Sequence, residues 1–224
     1  DDIHAIVTGT PDHWHTMVNL SAVKAGKDIY SEKPLTLTID EGKRLVKAVR
    51  ENQRILQVGS QQRSDRNFRL ACELVRNGRI GKLQHMIVGL PTGPNDGPFQ
   101  TIPIPESLNW DFYLGQAPKM DYVGDVEIKK GADGAETKSY KARCAHWDFR
   151  WWYCFSGGQM TDWGAHHDDI AQWGNGTERS GPVEIDGKAL SAMKPGGFTA
   201  AATYRIDMKY ANGVTLAIVD ENTG

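Results

Sequence analysis

The chain has 224 residues, 39% hydrophobic and 24% charged, and its 26 basic and 28 acidic residues leave a net charge of −2. These proportions describe a globular chain of one large or two modest domains. No basic run offers a phosphate-backbone footprint, which argues against a nucleic-acid partner, and no apolar stretch is long enough to cross a bilayer.

Residues 3–8, "IHAIVT", are short, apolar and β-branched, and predict a strand of the type buried on both faces. Thr10 then serves as N-cap and Pro11 as the first helical residue, with Trp14, Val18, Ala22 and Ala25 on one stripe and Gly26 closing the helix. "KDIYS" predicts a second strand. Thr38 and Glu41 form a capping box that opens a helix with Leu45, Val46 and Val49 facing inward, and "RILQVGS" predicts a third strand. Strand and helix alternating at this spacing indicate parallel βαβ units.

After Ser60 the pattern changes. Ser64 or Asp65 caps a helix that Asn77-Gly78 ends, and "LQHMIVGL" predicts a strand. Residues 91–118 predict an irregular excursion and the polar residues 119–143 a solvated loop. A helix is expected over residues 159–173. "ATYRIDMKY" and "VTLAIVD" flank Ala211-Asn212-Gly213, a hairpin signal with a type I′ turn. The fold class is therefore α/β: a Rossmann-type parallel sheet over residues 1–60, followed by an α+β domain with a mostly antiparallel open sheet over 61–224. Cys72, Cys144 and Cys154 lack CxxC spacing and read as isolated thiols.

In an open parallel sheet, ligands sit beyond the carboxyl ends of the strands. Two such ends carry suggestive residues. Thr8-Gly9-Thr10-Pro11 combines a glycine that permits close approach with a following helix N-terminus. Ser31-Glu32-Lys33-Pro34 places an amine where Pro34 keeps Lys33 out of the helical region. Lys33 reads either as a surface lysine or as a cation that hydrogen-bonds a substrate hydroxyl. Further on, Asp162, His166 and Asp169 fall on one face of the expected helix, suited to proton transfer or to a plain polar face, and poorly spaced for a metal, which is not expected. Six of the seven tryptophans lie between Trp110 and Trp173, and serve as a sugar platform, as core, or as a subunit contact.

"AIVTGTPDHWHTMVNLSAVKAGKDIYSEKPL" resembles the second half of the nucleotide-binding domain of the Gfo/Idh/MocA oxidoreductases, and "GGQMTDWGAHHDDIAQW" resembles their second signature. The resemblance implies an oxidoreductase that transfers hydride between a sugar, polyol or related cyclic alcohol and NAD or NADP. It makes Lys33, Asp162 and His166 the catalytic set, with His166 the base. Thr8, Gly9, Thr10, Pro11, His15, Glu32, Lys33 and Pro34 would face the cofactor, and Gln62 and Arg63 match a cofactor-facing segment more loosely. Arg150, Trp151 and Asp169 join Lys33, Asp162 and His166 as the expected substrate contacts. It further implies a cis bond before Pro34 and a homo-oligomer paired through the second sheet.

The family's G-x-G-x-x-G fingerprint is not found in this chain. The chain is therefore expected to be a fragment of a longer protein, with doubtful cofactor binding of its own and apolar surface exposed on its first strand. Two other functions remain open: redox-neutral modification of a glycoside with tightly bound NAD, and an inactive remnant. The isolated thiols fit the cytoplasm by default, while the resemblance includes exported relatives, so periplasmic export stays open.

Overall fold

The computed structural model describes residues 2–131 and 133–220. Three parallel strands, β1 (Ala5–Thr8), β2 (Asp28–Ser31) and β3 (Leu56–Val58), form the first sheet in that spatial order, joined through helices α1 (Asp12–Lys24) and α2 (Ile39–Glu51). Register sorts its side chains into two faces. Ile6, Ile29 and Leu56 align in one row, and Val7, Tyr30 and Gln57 in the next. The first row meets Ala22, Val23, Ala48 and Val49 of the two helices. The second row is bare, and Val7 is 78% exposed. The expected burial of β1 on both faces is thus not observed, because both helices pack on the same side.

The capping box of α2 is present with both its limbs: Glu41 N–H donates to Thr38 Oγ1, and Thr38 N–H donates to Glu41 Oε2. Leu45, Ala48 and Val49 form the inward stripe, whereas Val46 falls outside that arc and is exposed, contrary to expectation. α1 departs further. It starts at Asp12, and Pro11 rather than Thr10 holds the N-cap position without a side-chain bond. Of the expected stripe only Ala22 is fully buried; His13, His15, Thr16 and Asn19 are buried instead. Polar burial is tolerated because partners are at hand. Thr8 Oγ1 donates to Asn19 Oδ1, and Asn19 Nδ2 donates to Ser31 Oγ, both at 2.9 Å.

The chain continues through α3 (Arg66–Arg76), β4 (His85–Leu90), β5 (Gln100–Thr101), α4 (Trp110–Leu114), β6 (Val123–Lys130), β7 (Glu136–Ala142), α5 (Gly164–Gly174), β8 (Pro182–Ala189), β9 (Tyr204–Tyr210) and β10 (Thr215–Asp220). Asp65 caps α3 by accepting from the N–H groups of Asn67 and Phe68. The second sheet has the order β4-β10-β9-β8, with β4 and β10 parallel and the other pairs antiparallel. α3 and α5 lie over its β4 side.

A third sheet, β5-β6-β7, was not anticipated: β6 and β7 form an antiparallel hairpin where a solvated loop was expected. The β9–β10 connection is also not type I′. Gly213 is its one residue with positive φ, and Gly213 N–H donates to the Tyr210 carbonyl, whereas a type I′ turn requires positive φ at two central residues. Trp110, Phe149, Trp151, Trp152, Phe155 and Phe198 build an aromatic core beside α1. Trp14 docks onto it by donating Nε1–H to the Tyr113 carbonyl at 2.9 Å. Its indole lies against Gly115, at φ +52°, where a Cβ would overlap the ring.

Candidate active site

β1 and β2 end side by side, and the residues just past them turn toward the aromatic core. Gly9, Thr10 and Pro11 after β1, Glu32 and Lys33 after β2, and Asp12 and His15 of α1 form one side of a cavity of about 390 Å³. His146, Trp147, Phe149, Arg150 and Asp162 close it from the other side. A larger cavity of about 530 Å³ between α3, α5 and β4 is lined by apolar side chains such as Phe68, Val75, Ile87 and Ile170. It adds Cys72 and His167 but no carboxylate or amine, whereas the smaller cavity gathers carboxylates, cations and an imidazole beyond the ends of two parallel strands.

Asp162 organises the charges. Lys33 Nζ donates to Asp162 Oδ1 at 2.6 Å and to the Asp162 carbonyl at 3.1 Å. Arg150 Nε lies 3.4 Å from Asp162 Oδ2, and the guanidinium covers the Trp147 and Phe149 rings at 4.2 and 4.9 Å. Two cations on one carboxylate leave a net positive triad on the cavity wall. The Lys33–Pro34 peptide is cis, as the resemblance implied. His15 fixes the two strand ends: Nδ1 lies 2.7 Å from the Pro34 carbonyl and Nε2 lies 2.9 Å from the Thr10 carbonyl.

The helix expected over 159–173 is broken. A short 3-10 turn, Gly158–Met160, precedes α5, and Asp162 stands between the two. Asp162 therefore reaches Lys33 from the connecting segment rather than from a helix face.

Several expected contacts lie outside the cavity wall. Thr8 is buried against Asn19, and Pro34 contributes its carbonyl to His15. Arg63 and Asp169 hold each other in a bidentate pair at 2.6 and 2.8 Å, with the guanidinium over Trp173 at 5.3 Å. That pair ties the segment after β3 to α5 and occupies both side chains. Gln62 is half-buried, and its Oε1 has no partner. Trp151 is a core residue, 7% exposed, whose carbonyl accepts from Thr199 and Ala200; its neighbour Trp147, 65% exposed, faces the cavity instead.

His166 is buried on the first turn of α5 and does not line the cavity. Burial and then the nearby Lys33 charge hold its imidazole below the usual range, opposed by Asp162. Its Nδ1 is buried without a partner. A neutral ring with a free nitrogen can accept a proton.

Asp12 was not singled out from the sequence. A carboxylate directly after Pro11 reads as a first-turn acid complementing the helix dipole, which hides any further role. It is 7% exposed and bonds Ser156 Oγ, far along the chain. Burial pushes its carboxyl up, while Ser156, His15, Arg150 and Lys33 pull it down.

Asp168 lies on α5 beside the Arg63–Asp169 pair. Burial pushes it up to about 7, and its Oδ1 has no partner. The folded state then keeps a proton that the unfolded chain has lost, so this residue makes stability fall as pH rises from about 4 to about 7. Asp168→Asn is expected to flatten that slope in urea titrations and to gain about 2 kcal/mol at pH 8, the full shift being reduced by the unpaired amide. An unchanged slope would refute the assignment.

Residues 1–60 match the GFO_IDH_MocA model described as "Oxidoreductase family, NAD-binding Rossmann fold", and residues 124–224 match the family's C-terminal alpha/beta domain. Myo-inositol 2-dehydrogenase of Thermotoga maritima is 27% identical over 135 residues, 60% of this chain and 40% of that protein. Levoglucosan dehydrogenase of Pseudarthrobacter phenanthrenivorans is 34% identical over 82 residues, 37% of this chain and 21% of that protein. The WlbA dehydrogenase of Bordetella pertussis, solved with NADH and UDP-GlcNAcA, superposes with a TM-score of 0.62 at 19% identity over 96% of this chain and 51% of that one. The chain thus spans about half or less of the length of these proteins. Two models of one family, matched in order across the first sheet and the second, show that the chain belongs to the Gfo/Idh/MocA oxidoreductases.

Proposed function

We propose that the cavity brings the nicotinamide end of NAD(P) together with a cyclic polyol or sugar, whose CH–OH group is oxidised to a ketone. The observation that carries this reading is the Lys33 ammonium, held by Asp162 at the cavity wall beyond the ends of two parallel strands. The residues fit such a cofactor. α1 opens at the cavity, and a Cβ built on Gly9 meets no atom nearer than 3.9 Å, so the space above that backbone is free for a planar group. Gly9, Thr10, Pro11 and Glu32 would hold the nicotinamide and its ribose. The cofactor, when bound, supplies the carbon that takes up hydride.

The chain's own groups handle the oxygen and its proton. Lys33 donates a hydrogen bond to the hydroxyl oxygen and lowers its pKa by charge. The resemblance implies His166 as the base for the hydroxyl proton, and burial keeps its imidazole below the usual range, although the ring does not line the cavity. Asp162 holds the Lys33 ammonium in position. Arg150 and the exposed Trp147 form the opposite wall, where the apolar C–H face of a ring can rest on indole.

The test is incubation with NAD+ or NADP+ and a panel of inositols and pyranoses. Reduced cofactor in equal amount to ketone product is the expected result. Product without net cofactor reduction would favour redox-neutral chemistry. Calorimetry showing no binding of either cofactor, both to this chain and to a version extended at its N-terminus with a G-x-G-x-x-G unit, would overturn the reading.

A further inference from the structure

We propose that Asp12 is a substrate-binding residue: its Oδ1 accepts a hydrogen bond from a second ring hydroxyl of the polyol, beside the one that Lys33 holds. The inference rests on the reading of the cavity as a polyol site. Asp12 lines the same cavity as Lys33 and Asp162 and is 7% exposed. Its two oxygens are not equivalent. Oδ2 accepts from Ser156 Oγ, whereas Oδ1 accepts from none of the described residues. Asp12 lines the cavity with that acceptor unfilled by the protein, so a ligand hydroxyl can bond it without displacing a protein donor. Burial raises the Asp12 carboxyl above the usual range, and the nearby His15, Arg150 and Lys33 oppose that shift.

Placement is as important as vacancy. Ser156 Oγ lies 3.3 Å from Thr161 Oγ1, and Thr161 Oγ1 accepts from Gly157 N–H at 2.9 Å. The same short segment carries Asp162, which fixes Lys33. Asp12 and Lys33 are thus clamped to one rigid strip from opposite ends. A fixed donor and a fixed acceptor suit two hydroxyls on a ring of fixed shape. A site built to bond a hydroxyl also rejects the analogue that lacks it, because its own group is then left unpaired. If Asp12 served only the helix dipole and the Ser156 bond, removing it would weaken folding without changing which hydroxyls matter.

The experiment is calorimetry on the NADH-loaded protein, in which polyol binds without turnover, using myo-inositol and monodeoxy-inositols lacking each ring hydroxyl in turn. In the wild type, loss of the Asp12-bound hydroxyl should weaken binding by about tenfold or more. In Asp12→Ala, that one penalty should fall below about twofold while the others persist. Asp12→Asn keeps the side-chain volume and the Ser156 contact, and should show the same selective loss if the alanine variant does not fold. In the wild type, the 13C resonance of the Asp12 carboxyl, assigned by its absence in Asp12→Asn, should move when myo-inositol is added. Wild-type binding with every deoxy penalty unchanged in both variants and a stationary resonance would overturn the inference and leave the polyol reading intact. Failure of the wild type to bind any inositol would remove both.

Discussion

Lys33→Met is expected to lower kcat/KM for polyol oxidation by about 10³-fold, with little change in stability. The methionine keeps most of the side-chain length and removes the ammonium. The substrate oxygen then loses its hydrogen-bond donor and the charge that stabilises an alkoxide. Removing one partner of a buried ion pair normally strands the other. Here Asp162 keeps Arg150, whose Nε lies 3.4 Å from Oδ2, so the carboxylate is not left alone. Lys33→Arg is the sharper control, because it restores charge but not the point geometry of the amine. It should recover no more than about a tenth of the lost rate. Steady-state kinetics beside thermal melts decide the matter. A fall in kcat/KM of less than about tenfold would show that Lys33 is a structural cation and not a catalytic one.

Phe155→Ala should cost about 3–5 kcal/mol of unfolding free energy, the largest stability effect expected in this chain. The ring is fully buried and lies 4.8 Å from His13, 5.8 Å from Tyr113 and 6.2 Å from Trp110. It therefore joins α1 to the aromatic core, and the Phe155 carbonyl also accepts the His13 N–H at 3.1 Å. The cavity left by alanine would be walled by rings that cannot collapse into it without losing their own contacts. The next residue, Ser156, carries the bond to Asp12, so substrate affinity should weaken together with stability. Phe155→Leu should lose less than half as much, because most of the volume is retained. Urea unfolding measures both, and a loss below about 1 kcal/mol for the alanine variant would mean that the core repacks freely.

Local signals in the sequence located the elements well where the chain carries its own punctuation. The Thr38–Glu41 capping box, the Asp65 cap and Asn77-Gly78 all act through backbone groups within a few residues, and all are observed. What failed was longer in range. The β6–β7 hairpin carried a short signal, Val126 and Ile128 alternating with Asp125, Glu127 and Lys129 and sharing a face with Tyr140 and Ala142, but most of its residues are polar and exposed, and the polar composition outweighed the pattern. The stripe expected on α1 assumed that apolar residues face inward. That helix instead lies between a sheet and a second body of structure, and buried His13, His15 and Asn19 each find a partner well separated in sequence, the Tyr113 and Pro34 carbonyls and Ser31 Oγ, with His13 Nδ1 left without one. The meeting of Lys33 and Asp162 at one cavity wall was legible, because a strand end and a compact motif mark them. Asp12 and Trp147 were not legible, since each matters only through residues that meet it across the cavity. Trp151 was the tryptophan expected there, and one 3-10 turn separates it from Trp147, the ring that faces the cavity.

The two-faced character of the first sheet gives access to the site from behind. Tyr30 stands two residues before Glu32, and Val7 two before Gly9, yet both belong to the uncovered row and neither touches the cavity wall. A fluorine nucleus or small dye placed at either position would share a rigid strand with the reacting groups while leaving their surroundings untouched. Strain transmitted along β1 and β2 on ligand entry could then be followed optically or by NMR, without a reporter ever occupying the space that the ligand needs.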